Sequence, residues 1–344
     1  MKIVVRGTNW IGDTVMSVPA MRELRRLFPD AYIALHTRAW AKDIFADSVL
    51  FDEIIPIDQT GNKASASLRQ AEELRKRKFD AAVLFTNSFA TAFVARVGRV
   101  RQRFGYATDG RSFLLSDPVP VPPWKNERHE VYYYLNLVAE VGQILTGTKA
   151  EIIEDPATDI PVSEARRLEA RELLNRSGVR TRPIVALAAG STNSRAKRWG
   201  AENFAALNDR LQEDLGANVL LLGAAGEAEV SSRAADLSRH RPIDLTGKTT
   251  LAQAAAVLAE ADLLVSNDMG LAHLAPAVGT ETLTIFGPTN HVTTRPFSPL
   301  AEIVRAGVEC SPCMLRDCPI DHRCMAQISA AQVFERVRKK LGRR

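Results

Sequence analysis

The chain of 344 residues predicts an α/β protein built on two doubly wound parallel sheets. Three observations carry this expectation. Apolar runs of strand length alternate with longer helix-period segments through most of the chain, which is the pattern of βαβ units. The alternation occurs in two series separated by a polar, proline-bearing stretch at 147–161, dividing the chain into units of 1–160 and 161–328 with a terminal helix at 329–344. Polar, glycine-bearing turns also follow several of the apolar runs, where parallel sheets place their ligands. The composition, 46% hydrophobic and 25% charged, is ordinary for a globular protein with full cores.

In the first series Lys2–Val5 reads as a strand, and a polar loop from Arg6 to Asp13 leads into a helix over about 14–28. Asp13 therefore falls at a helix N-terminus. An aspartate there commonly caps the helix, which contributes about 1 kcal/mol; a carboxylate kept ionised by helix amides is also suited to take a proton from a bound hydroxyl. Strands at 32–36, 53–57 and 79–85 follow, with helices at 39–46, 67–78 and 90–97 between and after them. The turn Thr86–Phe89 lies on the expected ligand edge. Arg96, Arg99, Arg101, Arg103 and Arg111 come next, and such a cluster is commonly a solvated face, although guanidinium forks also suit carboxylates and phosphates. Prolines at 118–123 make an extended connector, and a helix at 127–142 carries Tyr132, Tyr133 and Tyr134 as packing residues.

The second series opens with a helix at 163–177 and a strand at 183–187. That strand runs into a loop, Ala188 to Trp199, whose amides, Ser191 and Thr192 hydroxyls and Lys197 ammonium suit a diphosphate. The loop lacks both the P-loop ending and the Gly-x-Gly-x-x-Gly turn. A strand at 218–222 ends in Gly223 to Glu229, where Glu227 is a candidate for a ribose hydroxyl and an equally good first-turn helix charge. The run Leu263–Val265 leads into Ser266 to His273. Here Asp268 is placed to cap a helix, Gly270 to let a ligand approach the backbone, the amides of Met269 and Gly270 to meet an anion, and His273 to stand one turn in. A strand at 282–286 ends in Gly287–Pro288–Thr289. These loops are expected to converge.

No apolar run reaches the roughly 18–20 residues that cross a bilayer. The N-terminus reads as a strand rather than a leader, so a cytoplasmic protein is expected. A net charge of +5 favours a phosphorylated substrate, an anionic membrane surface or nucleic acid without choosing among them. Nucleic acid is disfavoured by the absence of an aromatic-interleaved basic strand or a reading helix. The four cysteines, Cys310, Cys313, Cys318 and Cys324, stand with His322 at a spacing compatible with structural zinc, with disulfides in oxidised protein, or with free thiols.

Taken together, Gly7 to Ser17, Thr86 to Phe89, Arg103–Phe104–Gly105–Tyr106, Ala189 to Ser191, Ala196 to Trp199, Ser266 to His273 and Phe286 to Thr289 make the chain resemble the bacterial lipopolysaccharide heptosyltransferases of glycosyltransferase family 9. The resemblance covers nearly the whole length. It implies a GT-B architecture, two Rossmann-like domains facing across a cleft, with acceptor on the first and nucleotide sugar on the second. It also implies inverting, metal-independent transfer of L-glycero-D-manno-heptose from ADP-heptose to the lipopolysaccharide inner core. The sequence holds no Asp-x-Asp triplet to seat a nucleotide-bound metal, and no cofactor is implied. Asp13 is then the expected base. Gly190, Ser191, Thr192, Lys197, Glu227, Asp268, Met269, Gly270 and His273 are expected to hold the ADP-sugar; Thr8, Asn9, Asn87, Arg103 and Arg111 are expected to hold Kdo-lipid A, or its heptosylated form, at the cytoplasmic face of the inner membrane. Two alternatives remain, a family member with another donor or core position and a GT-B-fold nucleotide-sugar epimerase. Pro276, inside the helix after His273, leaves that helix's length open. The terminal helix is expected to cross back to the first domain.

Overall fold

The computed structural model describes residues 1–148, 151–192 and 194–342. The chain forms two compact units, Met1–Thr158 and Asp159–Arg344. In the first, the order is β1 (Lys2–Arg6), α1 (Ile11–Leu27), β2 (Tyr32–Thr37), α2 (Ala41–Ile44), β3 (Glu53–Pro56), α3 (Lys63–Arg77), β4 (Ala81–Leu84), α4 (Phe89–Val97), β5 (Gln102–Tyr106), β6 (Asp117–Val119) and α5 (Glu130–Thr146). In the second it is α6 (Glu164–Arg176), β7 (Ile184–Ala188), α7 (Ala201–Leu215), β8 (Asn218–Leu221), α8 (Ala228–Leu237), β9 (Ile243–Asp244), α9 (Leu251–Glu260), β10 (Leu263–Asn267), α10 (Gly270–Ala277), β11 (Glu281–Ile285), α11 (His291–Thr294), β12 (Ala301–Val304), α12 (Arg323–Ala326) and α13 (Ala330–Leu341).

Both expected doubly wound sheets are present, and both are entirely parallel. The first is ordered β3-β2-β1-β4-β5-β6 and the second β12-β11-β10-β7-β8-β9. Counted from each unit's own first strand, the two orders are the same. The chain reverses direction across the sheet between β1 and β4, and again between β7 and β10. Ligands in such sheets bind outside the carboxyl ends of the strands at that reversal. The loops after β1, β4, β7 and β10 are therefore the candidate ligand-binding loops.

Central strands such as β7 (Ile-Val-Ala-Leu-Ala) are apolar throughout because helices cover both sheet faces. Burying each Leu, Ile or Val contributes about 1.5–3 kcal/mol. Strands β5, β6 and β12 were not anticipated. β5 carries Arg103 inside a basic run, and β6, only three residues long with Pro118 in it, is an edge strand, where a missing N–H is tolerated.

Helix boundaries also shift. α1 begins at Ile11 with Trp10 as its N-cap, so Asp13 is the third helical residue rather than the cap. α10 is capped by Met269, without a side-chain bond, so Asp268 does not cap it; the helix ends at Ala277, one residue beyond Pro276. The terminal helix α13 packs on α7 of its own unit. Val333, Phe334 and Val337 join that unit's core, and the Arg210 guanidinium lies 3.9 Å from the centre of the Phe334 ring. Its charge is largely balanced, since Arg336, Arg338 and Lys340 pair with Glu302, Glu335 and Glu281.

Candidate functional site

The carboxyl edge of the second sheet gathers three loops onto one carboxylate. Asp268, just past β10, is buried, and its Oδ2 accepts from Thr289 Oγ1 at 2.6 Å and pairs with Lys197 Nζ at 2.7 Å. Lys197 comes from the loop after β7 and Thr289 from the loop after β11. The expected convergence is therefore present, with Asp268 as its centre. Beneath it Asn267, wholly buried, accepts from the Trp199 amide at 3.0 Å and donates to the carbonyls of Ala189 (2.8 Å) and Gly190 (3.0 Å). One side chain thus pins both ends of the loop that carries Ser191, Thr192 and Lys197. Asn193 of that loop lies outside the described residues.

Beyond Asp268, α10 presents its first amides with no capping side chain, a ready seat for an anion. His273 lies in the body of α10, buried, and its Nδ1 has no hydrogen-bond partner among the described residues. Burial pushes this imidazole down to about 4; Asp268 acts to raise it and Lys197 to lower it. The ring is neutral near pH 7 and carries one N–H donor.

Glu227, also expected at this edge, is buried beside the loop after β7. Its Oε2 accepts from the Ala224 amide at 3.0 Å and its Oε1 from Thr192 Oγ1 at 3.3 Å. A Cβ on Gly190 would stand 2.3 Å from the Glu227 carboxyl carbon, so this position requires glycine. Glu227 thus stands at the start of α8, where its carboxylate holds the Ala224 amide, and is buried against the loop after β7.

The cysteine-bearing segment forms a strap beneath these loops, which nothing in the sequence signalled. Arg316 O accepts from the Ala196 amide at 2.9 Å and Ser194 Oγ at 3.1 Å, and His322 Nε2 meets Ala196 O at 2.5 Å. On the other side Pro288 O accepts from the Cys313 and Met314 amides. The cysteines are free thiols, and among the described residues no group of three or more His, Cys, Asp or Glu is placed to hold a metal. Burial, and then the nearness of the other three sulfurs, pushes the Cys324 thiol up.

At the carboxyl edge of the first sheet, Asp13 is half-buried in the first turn of α1. Tyr134, buried behind it against Phe85, is raised well above the usual tyrosine range, first by burial and next by the charge of Asp13. Thr8 is buried, its hydroxyl paired with Thr14 Oγ1 at 2.7 Å, so it shapes the loop rather than facing a ligand. Asn9 Oδ1 accepts from Arg6 Nη2 at 3.1 Å. Asn87, after β4, donates to Tyr133 OH at 3.1 Å.

Two expected acceptor contacts are corrected. Arg111 is fully buried, and donates from Nε to Tyr106 O at 3.0 Å, from Nη1 to Thr86 O at 2.5 Å and to Ser88 O at 3.3 Å, and from Nη2 to Asn87 Oδ1 at 3.3 Å. Arg103 donates to the carbonyls of Leu114, Val100 and Arg101 at 2.6–2.8 Å. Arg111 is taken up by three backbone carbonyls and the Asn87 amide oxygen, and Nε and Nη1 of Arg103 by three backbone carbonyls. The Arg-Phe-Gly-Tyr segment is thus a structural device: Gly105 lets Arg111 pass, since a Cβ there would meet Nη2 at 2.9 Å, and Tyr106 supplies the carbonyl. Arg111 then holds the turn after β4 in place.

Comparison with known proteins bears on what these two edges do. The family model described as glycosyltransferase family 9 (heptosyltransferase) matches residues 67–323. Lipooligosaccharide heptosyltransferase 2 of Campylobacter jejuni is 27% identical over 351 residues, covering 99% of this chain and 98% of that protein. Lipopolysaccharide heptosyltransferase 2 of Escherichia coli is 28% identical over 313 residues, covering 89% and 88%. The solved structure of the E. coli ADP-heptose lipopolysaccharide heptosyltransferase II is similar with a TM-score of 0.85 at 26% identity, covering 100% of this chain and 99% of that one. With the family model matched over well more than half its length, the chain belongs to glycosyltransferase family 9, the heptosyltransferases.

Proposed function

We propose that the chain is an inverting heptosyltransferase of the heptosyltransferase II type, moving L-glycero-D-manno-heptose from ADP-heptose to the inner core of lipopolysaccharide. The observation that carries this reading is the Lys197–Asp268–Thr289 cluster at the open N-terminus of α10, placed where the second sheet reverses, in a member of this family. Lys197, the Ser191 and Thr192 hydroxyls and the amides of Met269 and Gly270 hold the diphosphate. Neutral His273 offers an N–H to it, and Glu227 faces the ribose. The ammonium and the helix amides meet the charge that develops on ADP as it leaves. A phosphate-ester leaving group needs no general acid, so a second carboxylate of the glycosidase kind is not required.

Asp13 acts as the base. It takes the proton of the acceptor hydroxyl as that oxygen attacks the anomeric carbon from the face opposite ADP, with Asn9 and Asn87 contacting the acceptor. Kdo-lipid A or its heptosylated form is the acceptor, which places the enzyme in the cytoplasm at the inner-membrane surface. The cysteines take no part in the transfer. Metal analysis of protein purified without added zinc checks them, and a stoichiometry near zero removes structural zinc.

The test of the reading is a matrix of ADP-heptose and alternative nucleotide sugars against Kdo-lipid A and heptosyl-Kdo-lipid A, with product masses measured. The expected result is one heptose added to the heptosylated acceptor with equimolar ADP released. Consumption of donor without acceptor would point to an epimerase and sink the proposal.

A further inference from the structure

Two arginines stand at the first sheet's carboxyl edge, and among the described residues neither is engaged in an ion pair. Arg6 is the last residue of β1 and sits in register with His36 of β2; Arg38 follows that strand by one residue. Two arginines thus leave adjacent parallel strands at the same edge. Arg6 is 7% exposed. Its Nη1 donates to Gly7 O and to His36 O at 3.5 Å, and its Nη2 to Asn9 Oδ1 at 3.1 Å, all neutral acceptors. Among the described residues neither Arg6 nor Arg38 has an ion-pair partner, and the Arg38 guanidinium has no hydrogen bond. Burial first, and then the charge of Arg38, lowers Arg6 to about 10; burial, then Arg6, lowers His36 to about 3. His36 is therefore neutral and relieves nothing.

Two guanidiniums near each other at a partly buried edge repel, and an anion between them removes the repulsion while accepting their donors. Arg103 and Arg111 differ, because backbone carbonyls take up most of their donors. Arg6 also fixes the Asn9 amide by its oxygen, which leaves the amide N–H groups available to an acceptor atom.

We propose that Arg38, supported by Arg6 and the Asn9 amide, seats an anionic group of the acceptor substrate, a carboxylate or a phosphate. This rests on the acceptor binding at the first unit, as in the proposed function. Arg38 is the binding fork and Arg6 the positioning residue that keeps the loop and the local field in place.

The test compares wild type, Arg38→Met and Arg38→Lys, leaving Arg6 untouched because its bonds hold the loop. Binding of two probes, inorganic phosphate and the free Kdo monosaccharide, is followed by NMR titration, with ADP affinity and thermal midpoint as controls. Arg38→Met is expected to weaken one or both probes by about tenfold, with ADP affinity and midpoint unchanged, and Arg38→Lys to recover part of the loss. Loss for Kdo alone identifies a sugar carboxylate, and loss for phosphate alone identifies a lipid phosphate; both support the seat. Equal binding of both probes to wild type and Arg38→Met, or no binding to either protein, overturns it. Because this readout needs no turnover, it stays separate from the proposed function: if wild type transfers no heptose, that reading fails whatever the probes show.

Discussion

The two sheets share one strand order yet treat charge at their carboxyl edges in opposite ways. In the second unit the basic residue is already matched, with Lys197 resting on buried Asp268 and Thr289 bracing the same oxygen. In the first, the charge of Arg38 bears on Arg6, and among the described residues neither arginine has an ion-pair partner. The difference teaches that topology fixes where a ligand binds, while the local balance of charge sets what the site asks of it. A lysine with its own counter-ion can exchange that ion pair for a diphosphate; an arginine pair without one favours a ligand that brings the negative charge.

Asp13→Asn is the strongest break of this division. Turnover is expected to fall by about 10²–10⁴, the usual range for a positioned base, with little change in thermal midpoint. Next comes Lys197→Ala, for which turnover is expected to fall by about 10²-fold as the leaving diphosphate loses its cation. The same change leaves Asp268 buried without its partner, so chemical denaturation is expected to show a loss of about 1–3 kcal/mol that Asp268→Asn in the same chain largely restores. If the double variant is no more stable than the single one, Asp268 is not held by Lys197.

Two further variants test the supports beneath the edges. Arg111→Met strands the carbonyls of Tyr106, Thr86 and Ser88 in the interior, and a loss of about 3 kcal/mol is expected in urea unfolding. A surface arginine would give a few tenths. Asn267→Ala removes three buried hydrogen bonds and is expected to cost about 2–3 kcal/mol, together with a rise in donor KM as the Ala189–Trp199 loop loosens.

A further effect is in pH. His273 titrates near 4 in the folded chain against an ordinary value of 6.5, so acid protonates the unfolded chain first. Stability present above about 6.5 is expected to decline as pH falls toward 4, by on the order of 3 kcal/mol at most from this residue. His273→Gln should flatten that part of the stability profile, and His36, lowered to about 3, should retain its own share.

Most of the fold was legible because period-two and period-3.6 apolar patterns survive wherever sheet and helix faces are buried. The elements that escaped are those where this signal is weak: β5 with an arginine in it, β6 with a proline, and β12 at an edge. The three loops that meet at Asp268 were legible as polar turns after apolar runs. Their centre was not, because a sequence does not say that Asp268 reaches Lys197 and Thr289 rather than capping α10. Arginines misled for a similar reason. Arg103 and Arg111 look like anion binders until their carbonyl partners are seen, whereas Arg38, alone in its stretch, gave no pattern to notice.

The affinity for ADP of Asp13→Asn beside that of Lys197→Ala tests the separation of tasks most directly. Calorimetric titration is expected to give Asp13→Asn the wild-type affinity and Lys197→Ala an affinity lower by about tenfold or more. Undiminished binding by Lys197→Ala, or a comparable loss in Asp13→Asn, would contradict the assignment of the nucleotide to the second unit's edge and of the proton to the first.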